Sequence, residues 1–495
     1  MNKQIRRISV VALVLLAALI VSTTYWQTWA RADLANRKDN SVTNISRLTI
    51  DRGKFIAAGG TLLATNRRYR KHGLTIYIRH YPQNDLVPQL MGYSTTAGTT
   101  TGLEQSLDDY LTGANTNLSN TFKQELDRLG GQTVKGDNVV LTLRPAIQRL
   151  ALDELAGRCG AVVVLDAKTG AVYAMASSPT YNANLINQRN GYAKIRSIKG
   201  TCGDHTALQN NATLGLYPPG STFKMVTAAA ALDSGAYTPS SPFYDPGYCT
   251  EYGRRVSNAG NPDQSGPEAF GNVTLSQGFE HSINSVFCNV GKHIGGQEIL
   301  KYAKRFGFYS LPPLETPSDE RVPSGLYKNG KLWDPKSEYQ IDAGRLAFGQ
   351  FNMLATPLQM AMVAQTIANK GVEMEPHVVD RVVAPDGSLV SRTKPQTLGR
   401  PIKPQTAAEL NQMMQLVVQG GTAAGIFPSS LKVAGKTGTA ELGLGTIYDA
   451  WFVAFAPADN PRYVVAVVVE KQPNGFGASV SAPIARAILE KLLHR

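Results

Sequence analysis

Three short motifs follow one another along this chain: Ser221-Thr222-Phe223-Lys224, Ser282-Ile283-Asn284 and Lys436-Thr437-Gly438-Thr439, in the order S-x-x-K, S-x-N, K-T-G. Three matches in order restrict the fold, because residues so far apart in sequence have to meet. The first motif sits behind Tyr217-Pro218-Pro219-Gly220, a natural helix start, and Phe223, Met225, Val226 and a run of alanines read as the helix itself. The second lies between two helical stretches. Thr274-x-x-Gln277 is a capping-box signature opening one, and Asn284 is placed to cap another running from Ser285 toward Ile294. The third, Val433 to Thr439, reads as a strand.

These residue types suit acyl transfer. A serine hydroxyl is a weak nucleophile at neutral pH and needs a base beside it and a place for negative charge. Three-residue spacing puts Ser221 and Lys224 on one helical face, and a helix N-terminus offers free N–H groups to an oxyanion. Lys224 acts as a base only when neutral, a state that burial and a second cation, Lys436, both promote. Ser282 can relay a proton between the lysines and a leaving amine; Asn284 can hold a substrate amide, cap a helix, or do both. Period-two geometry puts the Thr437 and Thr439 hydroxyls on one side, where they can grip a carboxylate. Gly438 leaves room for a substrate backbone, and the Thr439 N–H can join that of Ser221 in an oxyanion hole. The same alternation turns Lys436 away from the threonines, so twist or a bulge is needed to bring it in.

Residues 8 to 25 are apolar and uncharged, long enough to span a bilayer, and Lys3, Arg6 and Arg7 before them keep the N-terminus cytoplasmic. Tyr25, Trp26 and Trp29 suit the outer interface. A cleaved signal peptide is the competing reading, but no small-residue cleavage site stands out. The expected division is a tail over 1–7, an anchor over 8–27, a pedestal over 28–150 and a catalytic domain over 151–495. The net charge of +13 is spread along the chain without a nucleic-acid motif, so it reads as solvated surface facing an anionic envelope.

Within the pedestal, Ile50 to Ala64, Leu74 to Ile78 and Val139 to Leu143 look extended, and Pro145 to Leu155 looks helical. Two strands over Gly160 to Ser177 and three more at Val433 to Thr439, Ala450 to Ala456 and Tyr463 to Val469 make one five-stranded antiparallel sheet, with Ala482 to Leu493 a terminal helix. A helical block between Ser221 and Asn369 supplies the other layer of an α/β fold. Cys159, Cys202, Cys249 and Cys288 allow three pairings, of which Cys249 with Cys288 is favoured, and free buried thiols are the equal alternative. No histidine cluster suggests a metal, no cofactor is called for, and Gly443-x-Gly445 reads as a loop. His205 and His281 flank the motifs in orienting or surface roles.

On these motifs the chain resembles a class B penicillin-binding protein, a D,D-transpeptidase of peptidoglycan. Gly160 to Pro179, Tyr217 to Leu232, Gly349 to Gly371 and Gly420-Gly421-Thr422-Ala423 match the catalytic half. Arg52-Gly53-x-Phe55-Ile56, Leu62-Leu63-Ala64, Tyr81-Pro82 and Gly102-Leu103-Glu104 match upstream. The short pedestal is most similar to the penicillin-binding protein A group of actinobacteria. The resemblance implies a serine β-lactamase-like transpeptidase domain with helices on both faces of the sheet, an all-helical subdomain and a mostly β pedestal. It implies Ser221 as acylated nucleophile, Lys224 as its base, Ser282, Asn284 and Lys436 assisting proton transfer and binding, and Thr437 and Thr439 on the carboxylate. The implied donor is a stem peptide ending in D-Ala-D-Ala, with β-lactams as mimics. The implied partners are a membrane glycan polymerase of the SEDS type and other proteins of division or elongation.

Two other readings stay open. Water as acceptor would make the chain a D,D-carboxypeptidase or β-lactamase; Ile283 stands where many class A β-lactamases have Asp, and Glu441 is the carboxylate nearest in sequence to the third motif. A non-enzymatic β-lactam sensor or scaffold would need a signalling segment longer than Met1 to Arg7.

Overall fold

The computed structural model describes residues 2–25, 47–71, 73–114, 133–201, 206–259, 268–443 and 446–493. Trp26, Trp29, Cys202, His205 and Gly445 lie outside them. The apolar N-terminal run forms one helix, Asn2–Tyr25, long and apolar enough to cross a membrane.

The expected five strands pair into one antiparallel sheet in the order Ala434–Glu441, Ile447–Ala456, Tyr463–Pro473, Gly160–Asp166, Val172–Ser178. Tyr463–Pro473 is central, and Val464 to Val469 are fully buried because helices cover both faces. A continuous apolar run rich in valine, its valines interrupted by Ala466 alone, is what such a position selects. Pro145–Leu155 and Ala482–Leu493 lie on one face; Pro357–Ala368 lies on the other, with Pro404–Gln419 beside it against the edge strand. Ala482–Leu493 turns Ile484, Ile488, Leu489 and Leu492 inward at helical spacing. Each such side chain contributes about 1.5–3 kcal/mol by burial. Both termini of that helix and of Pro145–Leu155 fall where the sequence pattern places them.

A six-stranded sheet has the order Leu389–Arg392, Val379–Val383, Asn138–Leu141, Phe55–Ile56, Leu62–Lys71, Leu74–His80. Four of these strands come from the region read as a pedestal. The other two come from far downstream and pair through Val379–Val383 against Asn138–Leu141. Gln148, on the helix Pro145–Leu155, ties the five-stranded sheet to the turn that follows Leu74–His80: its amide donates to the carbonyls of Leu86 and Met175 and accepts from the Met175 N–H.

The block between Ser221 and Asn369 is less purely helical than its sequence suggests. Antiparallel pairs interrupt it, Pro242–Asp245 with Gly271–Thr274 and Tyr248–Glu251 with Arg254–Ser257. The capping box forms as read: the Thr274 hydroxyl accepts from the Gln277 N–H while the Gln277 side chain accepts from the Thr274 N–H. Cys249 and Cys288 are bonded, tying a strand to the helix Asn284–Ile294. Cys159 is also in a disulfide.

Candidate active site

Gly220–Phe223 forms a single tight 3₁₀ turn that runs directly into the α-helix Lys224–Asp233. The helix therefore begins less simply than Pro218-Pro219-Gly220 suggests, but Ser221 still stands in its first turn, where an N–H has no acceptor within the helix. Ser221 is half-buried, and its hydroxyl has no hydrogen-bond partner among the described residues. Trp451 braces the turn by donating its Nε1–H to the Pro218 carbonyl at 3.0 Å.

Lys224 and Lys436 are both fully buried. Lys224 Nζ donates to the Ser282 carbonyl at 2.6 Å, to Ser282 Oγ at 3.2 Å and to Asn284 Oδ1 at 2.8 Å. Lys436 Nζ donates to the same Ser282 Oγ at 2.9 Å and to the Thr437 carbonyl at 3.1 Å. One hydroxyl thus joins the two amines. Burial lowers Lys224 well below an ordinary amine, and the Lys436 charge lowers it further. Burial alone brings Lys436 down to about 7.

Ser282 occupies the elbow between Leu275–Glu280 and Asn284–Ile294 with φ +58°, a left-handed conformation rare for a side-chain-bearing residue. Such strain persists where the surroundings over-determine it. The two lysine amines gathered on its carbonyl and hydroxyl do so here. Asn284 is not a cap, contrary to one of the two roles its position allows. The N-cap residue is Ile283, and Asn284 spends Oδ1 on Lys224 and Nδ2 on the Ser257 carbonyl.

The capping duty has passed to residues the motifs do not reveal. Asn258 Oδ1 accepts from the Ser285 N–H, and buried Asp245 accepts from the Ser285 hydroxyl, the Asn258 amide and the N–H groups of Gly247 and Phe270. This network fixes the start of the helix that carries Asn284. Only polar residues within a short hairpin region hinted at it, which is too common a signal to single them out.

Lys436 enters the site without a bulge. Ala434–Glu441 pairs residue for residue with Ile447–Ala456, from Ala434 against Phe455 to Glu441 against Tyr448. The strand is at the sheet edge, and the four-carbon stem of Lys436 carries the amine to Ser282. Thr437 Oγ1 lies 2.6 Å from Thr422 Oγ1, so Thr422 belongs beside the third motif. Thr439 Oγ1 accepts from the Gly477 N–H at 3.3 Å. Gly438 serves packing: a Cβ there would meet Thr222 Cγ2 at 2.8 Å and the Pro219 carbonyl oxygen at 2.9 Å. Its bare face lets the edge strand lie against the Ser221 turn. Gly438→Ala is expected to push that turn away and lower the rate of Ser221 acylation about tenfold or more, read as the second-order rate constant with a fluorescent penicillin.

Glu441 lies exposed at the end of its strand. His281 stacks on Phe270 with centroids 5.2 Å apart, an orienting contact at the rim.

Residues 160–490 match the penicillin binding protein transpeptidase domain, and residues 52–139 match the penicillin binding protein A dimerisation domain. The chain is 33% identical to the peptidoglycan D,D-transpeptidase PbpA of Mycolicibacterium smegmatis, over 100% of this chain and 99% of the relative. It is 32% identical to PbpA of Mycobacterium tuberculosis over the same shares. The ceftriaxone acyl-enzyme complex of penicillin-binding protein A from M. tuberculosis superposes with a TM-score of 0.77 at 30% identity, covering 91% of this chain and 100% of that one. A D,D-transpeptidase domain from Eggerthella lenta gives 0.74 at 32%, covering 90% and 99%.

Proposed function

The chain belongs to the penicillin-binding protein transpeptidase family, and on that footing we propose how its own residues divide the work of peptidoglycan D,D-transpeptidation. Neutral Lys224 takes the proton of the Ser221 hydroxyl as Oγ attacks the carbonyl carbon of the penultimate D-Ala of a donor stem. The N–H groups of Ser221 and Thr439 hold the oxyanion. Collapse breaks the D-Ala-D-Ala amide; the proton on Lys224 passes through Ser282 Oγ to the departing D-Ala nitrogen, with Lys436 holding that hydroxyl in line. Thr437 and Thr439 hold the terminal carboxylate, and Asn284 orients a stem amide. The amine of a neighbouring stem then attacks the ester, its proton returns along the same path, and Ser221 is restored. A β-lactam acylates Ser221 in the first half of this cycle.

The observation that carries this reading is the Ser282 hydroxyl shared by two fully buried lysines. An ion cluster of like sign is a poor structural device, whereas two depressed amines around a hydroxyl are a proton path. The helix Asn2–Tyr25, with Lys3, Arg6 and Arg7 at its start, fits a single-pass anchor with a cytoplasmic N-terminus and the catalytic part outside. Residues 28–150 and 151–495 then divide as pedestal and transpeptidase domain, with the downstream strands Val379–Val383 and Leu389–Arg392 added to the pedestal sheet. A glycan polymerase of the SEDS type and other division or elongation proteins are the partners that such an enzyme needs.

The test is partitioning of the acyl-enzyme. Full-length protein in detergent, given a stem pentapeptide donor with and without an acceptor amine, is expected to release D-Ala and form cross-linked product when amine is present. Its penicilloyl adduct should persist in intact mass spectra. Rapid hydrolysis of donor and penicillin with no amine-dependent product would replace this reading with a hydrolase.

A further inference from the structure

The positive charge of the chain has one local concentration. Between Asp51 and Asp85 there is no acidic residue, and Arg67, Arg68, Arg70 and Lys71 crowd into five consecutive positions. They lie on the outer part of a β-ribbon. Leu62–Lys71 pairs with Leu74–His80 from Thr65 against His80 to Lys71 against Leu74, whereas Phe55–Ile56 reaches only Leu62 and Ala64. From Thr65 outward the ribbon pairs with itself alone among the described residues, which makes it an arm with two open edges. Such a ribbon is marginally stable in water by itself.

The charges on this arm are not spent on carboxylates. Glu104 and Asp108 are occupied by Arg47, Arg52 and Arg79, and none of Arg67, Arg68 and Arg70 is in an ion pair among the described residues. Arg67 Nη2 instead lies 3.1 Å from His80 Nε2. Residues opposite one another in an antiparallel pair share a face, so Arg67 and Tyr69 stand beside Ile78 and Ile76, with Leu74 next in line. Leu74 is 51% exposed and Tyr69 45%. Arg68 and Arg70 are exposed and stand opposite Tyr77 and Thr75 on the other face. Cations around an exposed tyrosine and aliphatic side chains suit an interface that is charged on top and apolar beneath.

We propose that this arm docks on anionic lipid headgroups of the bilayer that holds the helix Asn2–Tyr25, an inference that rests on reading that helix as an anchor. Tyr25 and Arg47 are 22 residues apart, so the folded part stays within about 75 Å of the membrane surface. The chain also enters the sheet beside the arm. Asn66 Nδ2 donates to Asp51 Oδ1 at 2.8 Å and to the Arg52 carbonyl at 2.6 Å, and the residue after Asn66 is the first arginine of the run. The arm therefore projects from the place where the chain arrives from the membrane. Guanidinium groups pair with lipid phosphates, and a second point of contact with the bilayer restricts the tilt of the N-terminal sheet above it. Charges on an open edge can also serve only to prevent pairing with other strands, and an acidic wall polymer offers charge without an apolar layer. One experiment separates the three.

Full-length protein is reconstituted into nanodiscs of phosphatidylcholine alone or with about 30% phosphatidylglycerol, and amide hydrogen exchange over residues 65–78 is followed by mass spectrometry. Exchange in the anionic discs is expected to be slower by about fivefold or more. High salt, which screens the charges, and an Arg68→Glu, Arg70→Glu double variant are both expected to remove this protection. Penicillin acylation, which uses neither arginine, reports that the variant is folded. Equal exchange in both discs would mean that the arginines only guard the open edges. Protection by soluble poly(glycerol phosphate) in neutral discs, with none from anionic lipid, would assign the arm to a wall polymer. Either result overturns the proposal and leaves the anchor standing, as would protection that survives in the folded double variant. Protein that fails to enter the discs at all would overturn the anchor reading and the proposal with it.

Discussion

Ser221→Ala is expected to abolish the covalent penicillin adduct and to slow transpeptidation about 10⁴-fold or more, while leaving the fold almost untouched. The two halves of this expectation have separate causes. Activity falls because the atom that forms the ester is gone, and the oxyanion donors and the buried lysines that remain cannot supply another. Stability holds because the Ser221 hydroxyl is half-buried and makes no hydrogen bond among the described residues, so its removal orphans nothing and opens no cavity. Alanine also suits the first helical turn, and the change in stability should stay within about 0.5–1 kcal/mol. Intact mass after incubation with a fluorescent penicillin reads the first effect, and thermal unfolding reads the second. An adduct that persists in the variant would remove Ser221 from the nucleophile role. A collapsed Tm would mean instead that the hydroxyl supports the turn.

The motif residues were legible because each needs a particular local structure that leaves its own trace. The helix after Pro218-Pro219-Gly220, entered through a 3₁₀ turn, the capping box before Ser282 and the strand through Lys436 all form where their patterns place them. What the sequence hid are contacts made by residues with no local signature. Asn284 looks like a helix cap, yet its amide serves Lys224, whose buried amine needs polar partners, while the buried helix end finds its own in Asn258 and Asp245. Asp245 and Asn258 then take over the helix start, a pairing fixed only by tertiary structure. Thr422 stood in view within Gly420-Gly421-Thr422-Ala423, but its hydroxyl gains meaning only beside Thr437. The strands at Val379–Val383 and Leu389–Arg392 are short and pair far back along the chain, so local periodicity could not assign them to the N-terminal sheet. Lys436 is a different case. Strict alternation asked for twist or a bulge; the pairing holds no bulge, and the length of the lysine side chain helps carry the amine to Ser282.

Lys224→Met should reduce acylation about 10²–10⁴-fold, the usual contribution of a positioned base, and its pH behaviour separates that role from simple packing. On the proposed mechanism the working form of Lys224 is the neutral amine. Burial and the Lys436 charge hold its native value well below 10.5, so its neutral fraction exceeds that of a solvated lysine at the same pH. The acylation rate constant should therefore climb with pH on the acid side and level off well below 10.5. Lys436 is also lowered, to about 7, and the two share one hydroxyl, so the observed midpoint belongs to the pair. A rate that keeps rising to pH 10 would show that Lys224 is an ordinary solvated amine and not the base. Stability changes with pH in a linked way. Between each native value and 10.5 the unfolded chain binds more protons than the native one, so wild-type stability rises with pH across that window. Below the native values both states are protonated and the penalty for burying the charge is fully present. Methionine carries no such penalty. The Tm of Lys224→Met relative to wild type should thus be highest at the acid end and decline as pH increases toward 10. A constant difference across that range would mean that no proton is released from Lys224 on folding, and the base would have to be sought elsewhere.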